Sequence, residues 1–144
     1  MVSRMNPSIL TATVSAAAAL VVATLSYSLT KRREREAEWR KFKLEHYREY
    51  ISSLSGIVND RATPTSQARY SDAINALLLV APPEVLRRLR EFQREIAISN
   101  KTRSDERHDA LLSDLIRAIR QDIQPKRPDD GNLTFQILGV PPVR

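Results

Sequence analysis

Residues 9–29 read ILTATVSAAAALVVATLSYSL and contain no charged side chain. As an α-helix that rises about 1.5 Å per residue, these residues are about 31 Å long, which is enough to cross the hydrocarbon core of a bilayer. Six of them are serine or threonine. A helix tolerates these hydroxyls in lipid, because each can hydrogen-bond a backbone carbonyl one turn back. The stretch therefore predicts a transmembrane helix.

A cleaved signal peptide and a buried helix of a soluble protein are the two alternatives to this anchor. Alanine-rich apolar runs also occur in signal peptides. However, the residues before the run have a single charged side chain, Arg4, and a basic cluster follows the run at once. An uncharged run of this length is also long for a buried helix. We prefer the membrane anchor, and the other two interpretations stay open.

The segment after residue 29 is basic and predicts the topology. Flanks rich in lysine and arginine remain on the cytoplasmic side of a membrane. We therefore expect a single-pass protein of the bacterial inner (cytoplasmic) membrane, with the N-terminus outside and the C-terminus in the cytoplasm. Acidic residues are interleaved, and i,i+4 pairs such as Glu36–Arg40 are also typical of a solvated helix. The basic residues expected at the membrane surface are Lys31, Arg32, Arg33, Arg35, Arg40, Lys41 and Lys43.

Proline and glycine mark the ends of periodic segments in the rest of the chain. Between them, apolar residues recur every three to five positions, which is typical of amphipathic helices, and the short connections favour antiparallel neighbours. The predicted fold class is all-α: an N-terminal transmembrane helix that continues into a small antiparallel helical bundle, with an extended C-terminal tail. The expected divisions are a short N-terminal tail at 1–8, the transmembrane helix at 9–29, a cytoplasmic bundle at 30–124 with helices at about 31–57, 64–81, 83–99 and 104–124, and the tail at 125–144.

The helix starts carry local signals. Asn6-Pro7 and Thr63-Pro64 each place an N-cap residue before a proline at the first helical position. No proline or glycine occurs between Pro7 and Gly56, so one helix of about 50 residues can span this interval.

Two apolar segments are predicted to contact a partner. Residues 76–81, ALLLVA, are apolar on every side of a helix, so the second helix is central in the bundle or faces another subunit. In the tail, apolar and polar residues alternate, which is typical of a strand. A lone strand has no sheet to join in an all-helical domain, so it packs on the bundle as an arm or pairs with something else. The predicted partner contacts are Leu78, Leu79, Val80, Leu133, Phe135 and Ile137.

The composition excludes several kinds of site. The chain has 144 residues, a net charge of +6, no cysteine, two histidines and three glycines. These numbers exclude disulfides, thiolate metal sites, cysteine nucleophiles and glycine-rich phosphate loops. Eight basic and five acidic side chains at 31–50 give +3, which is half of the net charge. We therefore interpret the basicity as a topology signal rather than as a nucleic-acid site.

Two polar clusters invite a chemical interpretation, namely phosphate binding by arginines and metal binding or acid–base chemistry around a histidine. Acidic residues lie beside the arginines, and acids in the first turn of a helix are expected from its dipole. Solvated helix faces explain both clusters, so we expect no catalytic residue, cofactor, metal or nucleic-acid partner. The clusters are Arg87, Arg90 and Arg94, and Asp105, His108 and Asp109.

Three features resemble small single-pass membrane proteins of bacteria that have no assigned activity: Trp39 with Tyr47, Ala81-Pro82-Pro83, and the stretch from Ile116 to Asp122. The resemblance covers most of residues 9–124 and implies an N-terminal anchor followed by a helical cytoplasmic domain. Together with this resemblance, the sequence predicts a non-enzymatic interaction or scaffold module anchored in the lipid bilayer, either self-associating or bound to another protein. The alternatives are a membrane-active effector whose span oligomerises and permeabilises the bilayer, and a small membrane-bound enzyme.

Overall fold

The computed structural model of the protein describes residues 7–58, 62–127 and 131–137. Four α-helices occupy most of these residues, which contain no strand. The predicted all-helical fold class and the long N-terminal apolar helix are confirmed. The predicted cap at Asn6, most of the short N-terminal tail, and residues 128–130 and 138–144 of the predicted tail lie outside the described residues. The helices are α1 (Pro7–Ser55), α2 (Pro64–Val80), α3 (Pro83–Ile96) and α4 (Asp105–Ile123).

Helix α2 begins at the cap that the sequence predicts. The Ser66 N–H donates to Thr63 Oγ1 at 3.1 Å, and the Thr63 N–H donates to Ser66 Oγ at 2.8 Å. This reciprocal pair satisfies two backbone donors at the helix start. Pro64 follows at the first helical position, where its missing N–H costs nothing.

Helix α3 ends at Ile96, earlier than the predicted end near residue 99. Ala97 leaves the helical region with φ −59° and ψ 137°. Asn100 donates from Nδ2 to the Glu95 carbonyl at 3.0 Å and from its backbone N–H to the Ala97 carbonyl at 2.9 Å. A tight turn therefore satisfies these carbonyls, so a further helical turn is not needed.

The chain divides into two compact units, Met1–Arg40 and Lys41–Arg144. In the first unit, the apolar side chains of α1 from residue 11 onward are exposed, and Leu20 is 70 % exposed. Among the described residues, α1 is the one helix that is long and apolar enough to cross a membrane, by length and composition.

The second unit has one hydrophobic core to which all four helices contribute. Helices α3 and α4 pack directly against each other. The antiparallel order of the helices stays a prediction. The buried core residues are Tyr47, Tyr50, Leu54, Ala73, Leu77, Val80, Val85, Leu89, Phe92, Leu112, Leu115 and Ile119.

The structure corrects one predicted partner contact on α2. Val80 is only 8 % exposed and belongs to the core. It lies three residues after Leu77 and seven after Ala73, so the three side chains share the buried face of the helix. Leu78 and Leu79 point away from that face and are exposed.

Two leucines of α2 provide a matched test of this core. We expect Leu77→Ala to lower the free energy of unfolding by about 2–5 kcal/mol, because Leu77 is fully buried and its truncation leaves a cavity. Leu79→Ala is the control, since Leu79 is 85 % exposed, and we expect a change within about 0.5 kcal/mol. Urea unfolding of the detergent-solubilised full chain, followed by near-ultraviolet circular dichroism, measures both. Equal effects of the two variants would contradict the assigned core.

Candidate interaction surfaces

A half-buried ion pair joins α1 to α4. Lys43 Nζ lies 2.9 Å from Asp122 Oδ1 and 3.0 Å from Oδ2, and both side chains are 13 % exposed. Tyr47 donates its hydroxyl hydrogen to Asp122 Oδ2 at 2.7 Å. Burial, and next the hydrogen bond to Asp122, raise the pKa of the Tyr47 phenol above its ordinary value, so the hydroxyl remains a donor.

This ion pair corrects the predicted role of Lys43. The sequence places Lys43 with the basic residues at the membrane surface, but the folded chain turns it towards α4. Its partner Asp122 lies 79 residues away in the sequence. No local pattern shows such a contact, because helical spacing relates only residues three or four positions apart.

An apolar groove of about 470 Å³ lies beside this ion pair, between α1 and α4. Four of its eight lining residues are aliphatic, and Leu44 on one wall remains 39 % exposed. The two charged residues that line it are both arginines. The groove is lined by Leu44, Tyr47, Arg48, Ile51, Ser52, Ile119, Arg120 and Ile123.

The sequence pattern does not predict this groove. Ile51 and Ile119 do belong to helical stripes that pack inward, and the repeat at i, i+3 and i+4 shows these stripes. The repeat does not show how much of a stripe its neighbours cover. Leu44 carries the only sequence signal, since it is an aliphatic residue set among charged neighbours.

The segment 131–137 lies against α4. The Arg117 guanidinium donates to the Gly131 carbonyl at 3.0 Å and to the Leu133 carbonyl at 2.7 Å. The Phe135 N–H donates to Ser113 Oγ at 2.8 Å. Of the predicted partner contacts in the tail, Leu133 is exposed, whereas Phe135 and Ile137 are half-buried.

Phe135 and Ile137 are therefore largely covered by the chain itself. Arg120 lies over the Phe135 ring, with its guanidinium carbon 5.4 Å from the ring centroid. Ile137 packs against the hydrophobic core. Gln136 faces outward and donates to Asp109 Oδ2 at 2.7 Å. The described part of the tail thus leaves Leu133 as its accessible large apolar side chain.

The basic segment after the apolar run is exposed and partly paired along its own helix. Lys31 pairs with Glu34 at 2.8 Å, and Arg32 pairs with Glu36 at 3.1 Å. The predicted Glu36–Arg40 ion pair is replaced by a hydrogen bond from Arg40 Nε to the Glu36 carbonyl at 3.2 Å. Exposed pairs of this kind contribute about 1 kcal/mol or less. Arg33, Arg35 and Lys41 are also exposed.

One member of the arginine cluster of α3, Arg87, forms ion pairs within its own helix. Arg87 pairs with Glu84 at 2.6 Å and with Glu91 at 3.1 Å. Because both of these acids flank it, Arg87 is a poor phosphate ligand. Arg90 and Arg94 are exposed.

The cluster around His108 forms short contacts within the domain. His108 Nδ1 lies 3.1 Å from Asp109 Oδ1, and the His108 ring packs against the Phe92 ring at an interplanar angle of 55°, with centroids 5.2 Å apart. The hydrogen bond with His108, followed by that from Gln136, holds the pKa of Asp109 below its usual value. Among the described residues, no group of three potential ligands could hold a metal ion.

Comparisons of this chain with protein-family models, curated proteins and solved structures found no match. The resemblance seen in the sequence therefore stays a prediction.

The Lys43–Asp122 pair can be tested by removing one charge. We expect Asp122→Asn to lower the free energy of unfolding by about 3 kcal/mol, because it takes away the negative charge that faces a largely buried ammonium group. The amide keeps an oxygen that can accept from Tyr47. Glu36→Gln is the control, since its pair with Arg32 is exposed, and we expect at most about 0.5 kcal/mol. Urea unfolding of the full chain measures both, and a loss no larger than that of the control would contradict the assigned burial.

Proposed function

We propose that the chain is a membrane-anchored interaction module, which holds a small helical domain at a membrane and acts by binding rather than by catalysis. In this proposal, residues 9–29 cross the inner membrane of a bacterium once, with the N-terminus outside. Residues 30–124 form an antiparallel bundle in the cytoplasm, and residues 125–144 form an extended tail. The bundle binds another protein or a second copy of the chain.

The observation that carries the anchor is the exposure of the apolar side chains on α1. Leu20, Val22 and Leu25 are all more than half exposed. Contiguous apolar surface of this kind marks a site of membrane or protein contact. An uncharged helix of about 31 Å matches the thickness of a bilayer core, so lipid is the medium that fits it.

The hydroxyl groups of this segment also suit a lipid environment. Thr24 donates from Oγ1 to the Leu20 carbonyl at 2.8 Å, and Ser28 donates from Oγ to the Thr24 carbonyl at 2.9 Å. A hydroxyl that is satisfied within its own helix does not carry the cost of an unpaired polar group in hydrocarbon. The serine and threonine content is thus compatible with an anchor.

Single cysteines test the anchor and its orientation, because the natural chain has no cysteine. We expect Ser3→Cys to react with a membrane-impermeant maleimide added to intact spheroplasts, and Ser99→Cys to react only after lysis. Both variants should remain in the membrane fraction after carbonate extraction. The physical reason is the basic flank after residue 29, which resists translocation.

Different failures of this experiment have different meanings. Labelling of Ser99→Cys in intact spheroplasts would show that the orientation is the reverse of the one proposed. Release of the chain by carbonate would contradict the anchor itself. Ser99 lies in an exposed turn, so its substitution is not expected to disturb the fold.

A further inference from the structure

The groove between α1 and α4 is an apolar surface that the described residues leave uncovered. Its floor is formed by side chains that also pack towards the core, such as Ile51 and Ile119. Leu44 and Ile123 extend this surface outward and are only partly covered. Its position within the domain gives the groove fixed walls, since the Lys43–Asp122 ion pair holds the same two helices together.

The two charged residues that line the groove are both positive. Arg48 and Arg120 line it, and no acidic side chain does. Arg48 is exposed and makes no ion pair within the described residues. The neighbouring carboxylates of Glu49 and Asp122 are already bonded, to Arg69 at 2.7 Å and to Lys43 at 2.9 Å. A partner that brings carboxylates to this rim gains charge complementarity.

The dimensions of the groove favour a helix as the occupant. Along α1 its lining runs from Leu44 to Ser52, which is about 12 Å, or slightly more than two turns, at 1.5 Å per residue. A helix that lies between two others presents aliphatic residues at i, i+3, i+4 and i+7, and this repeat covers two turns. The groove thus matches one short apolar stripe on a helix.

We propose that this groove binds an amphipathic helix of a partner protein that carries glutamate or aspartate beside its apolar stripe. The inference rests on the proposed function, an interaction module, and adds its binding surface and the chemistry of its partner. Leu44, Ile51, Ile119 and Ile123 contact the apolar stripe. Arg48 contacts the flanking carboxylates. A second copy of this chain is the competing occupant, and the experiment distinguishes it.

Two designed peptides of equal length serve as probes. Both carry leucines at i, i+3, i+4 and i+7, and they differ only in having glutamates or lysines on the flanks of the stripe. The full chain is held in nanodiscs of neutral lipid, and binding is measured by the fluorescence anisotropy of the labelled peptide. We expect the glutamate peptide to bind about tenfold more tightly than the lysine peptide, because exposed ion pairs each contribute a modest amount.

A charge reversal identifies the surface that binds. We expect Arg48→Glu to abolish the preference for the glutamate peptide. Arg90→Glu on α3 is the matched control, since it makes the same change at an exposed residue away from the groove, and it should leave the preference unchanged. Arg48 lies on the surface, so the variant is expected to fold, and near-ultraviolet circular dichroism verifies this. Ile123→Asp should weaken the binding of both peptides.

Each of the following outcomes would overturn the inference. The first is no binding of the glutamate peptide at about 1 mM, where even weak association is measurable. The second is equal binding of the two peptides, or an equal effect of Arg48→Glu and Arg90→Glu. The third is a dimer of the full chain in detergent, measured by light scattering, that Ile123→Asp dissociates, because a second copy would then occupy the groove. None of these outcomes affects the cysteine-labelling test, so a failure of the groove and a failure of the anchor remain distinguishable.

Discussion

The contact of Lys43 and Tyr47 with one carboxylate of α4 fixes the register of α1 against α4, on which the rest of the domain depends. The two residues are four positions apart on α1 and therefore lie on the same helix face. Both reach Asp122. A register shifted by one turn would separate these groups and leave a charge buried without its counterion, which costs several kcal/mol. The ion pair thus selects one register of α1 against α4.

The groove follows from that register. With Lys43 and Tyr47 directed at Asp122, Leu44 lies at the edge of the contact rather than inside it. Ile123 follows Asp122 on α4 and is likewise only partly covered. The exposed apolar surface of the groove differs in chemistry from that of residues 9–29. Residues 9–29 carry no charge over 21 residues, whereas the groove is short and edged by arginines.

The features that the sequence predicts are those with a local cause. Pro64 and Pro83 mark the starts of α2 and α3, because proline fixes φ and lacks an N–H that the first turn does not need. The end of α3 has no such marker. It depends on Glu95, which is 3 % exposed and accepts hydrogen bonds from Asn100 and from the Ser104 N–H. The exposure of Leu44 and the burial of Val80 likewise depend on which helices lie next to each other, and periodicity carries no information about that.

The contacts of segment 131–137 with α4 have a consequence for how this sequence can change over evolutionary time. Arg117 binds the carbonyl groups of Gly131 and Leu133, and Ser113 binds the N–H of Phe135. These groups belong to the backbone, so they are present whatever side chains occupy the segment, except that proline at 135 would remove the N–H. Mutations at 131–134 can therefore accumulate while the segment keeps its place, and selection should act instead on Arg117 and Ser113, the residues that bind it.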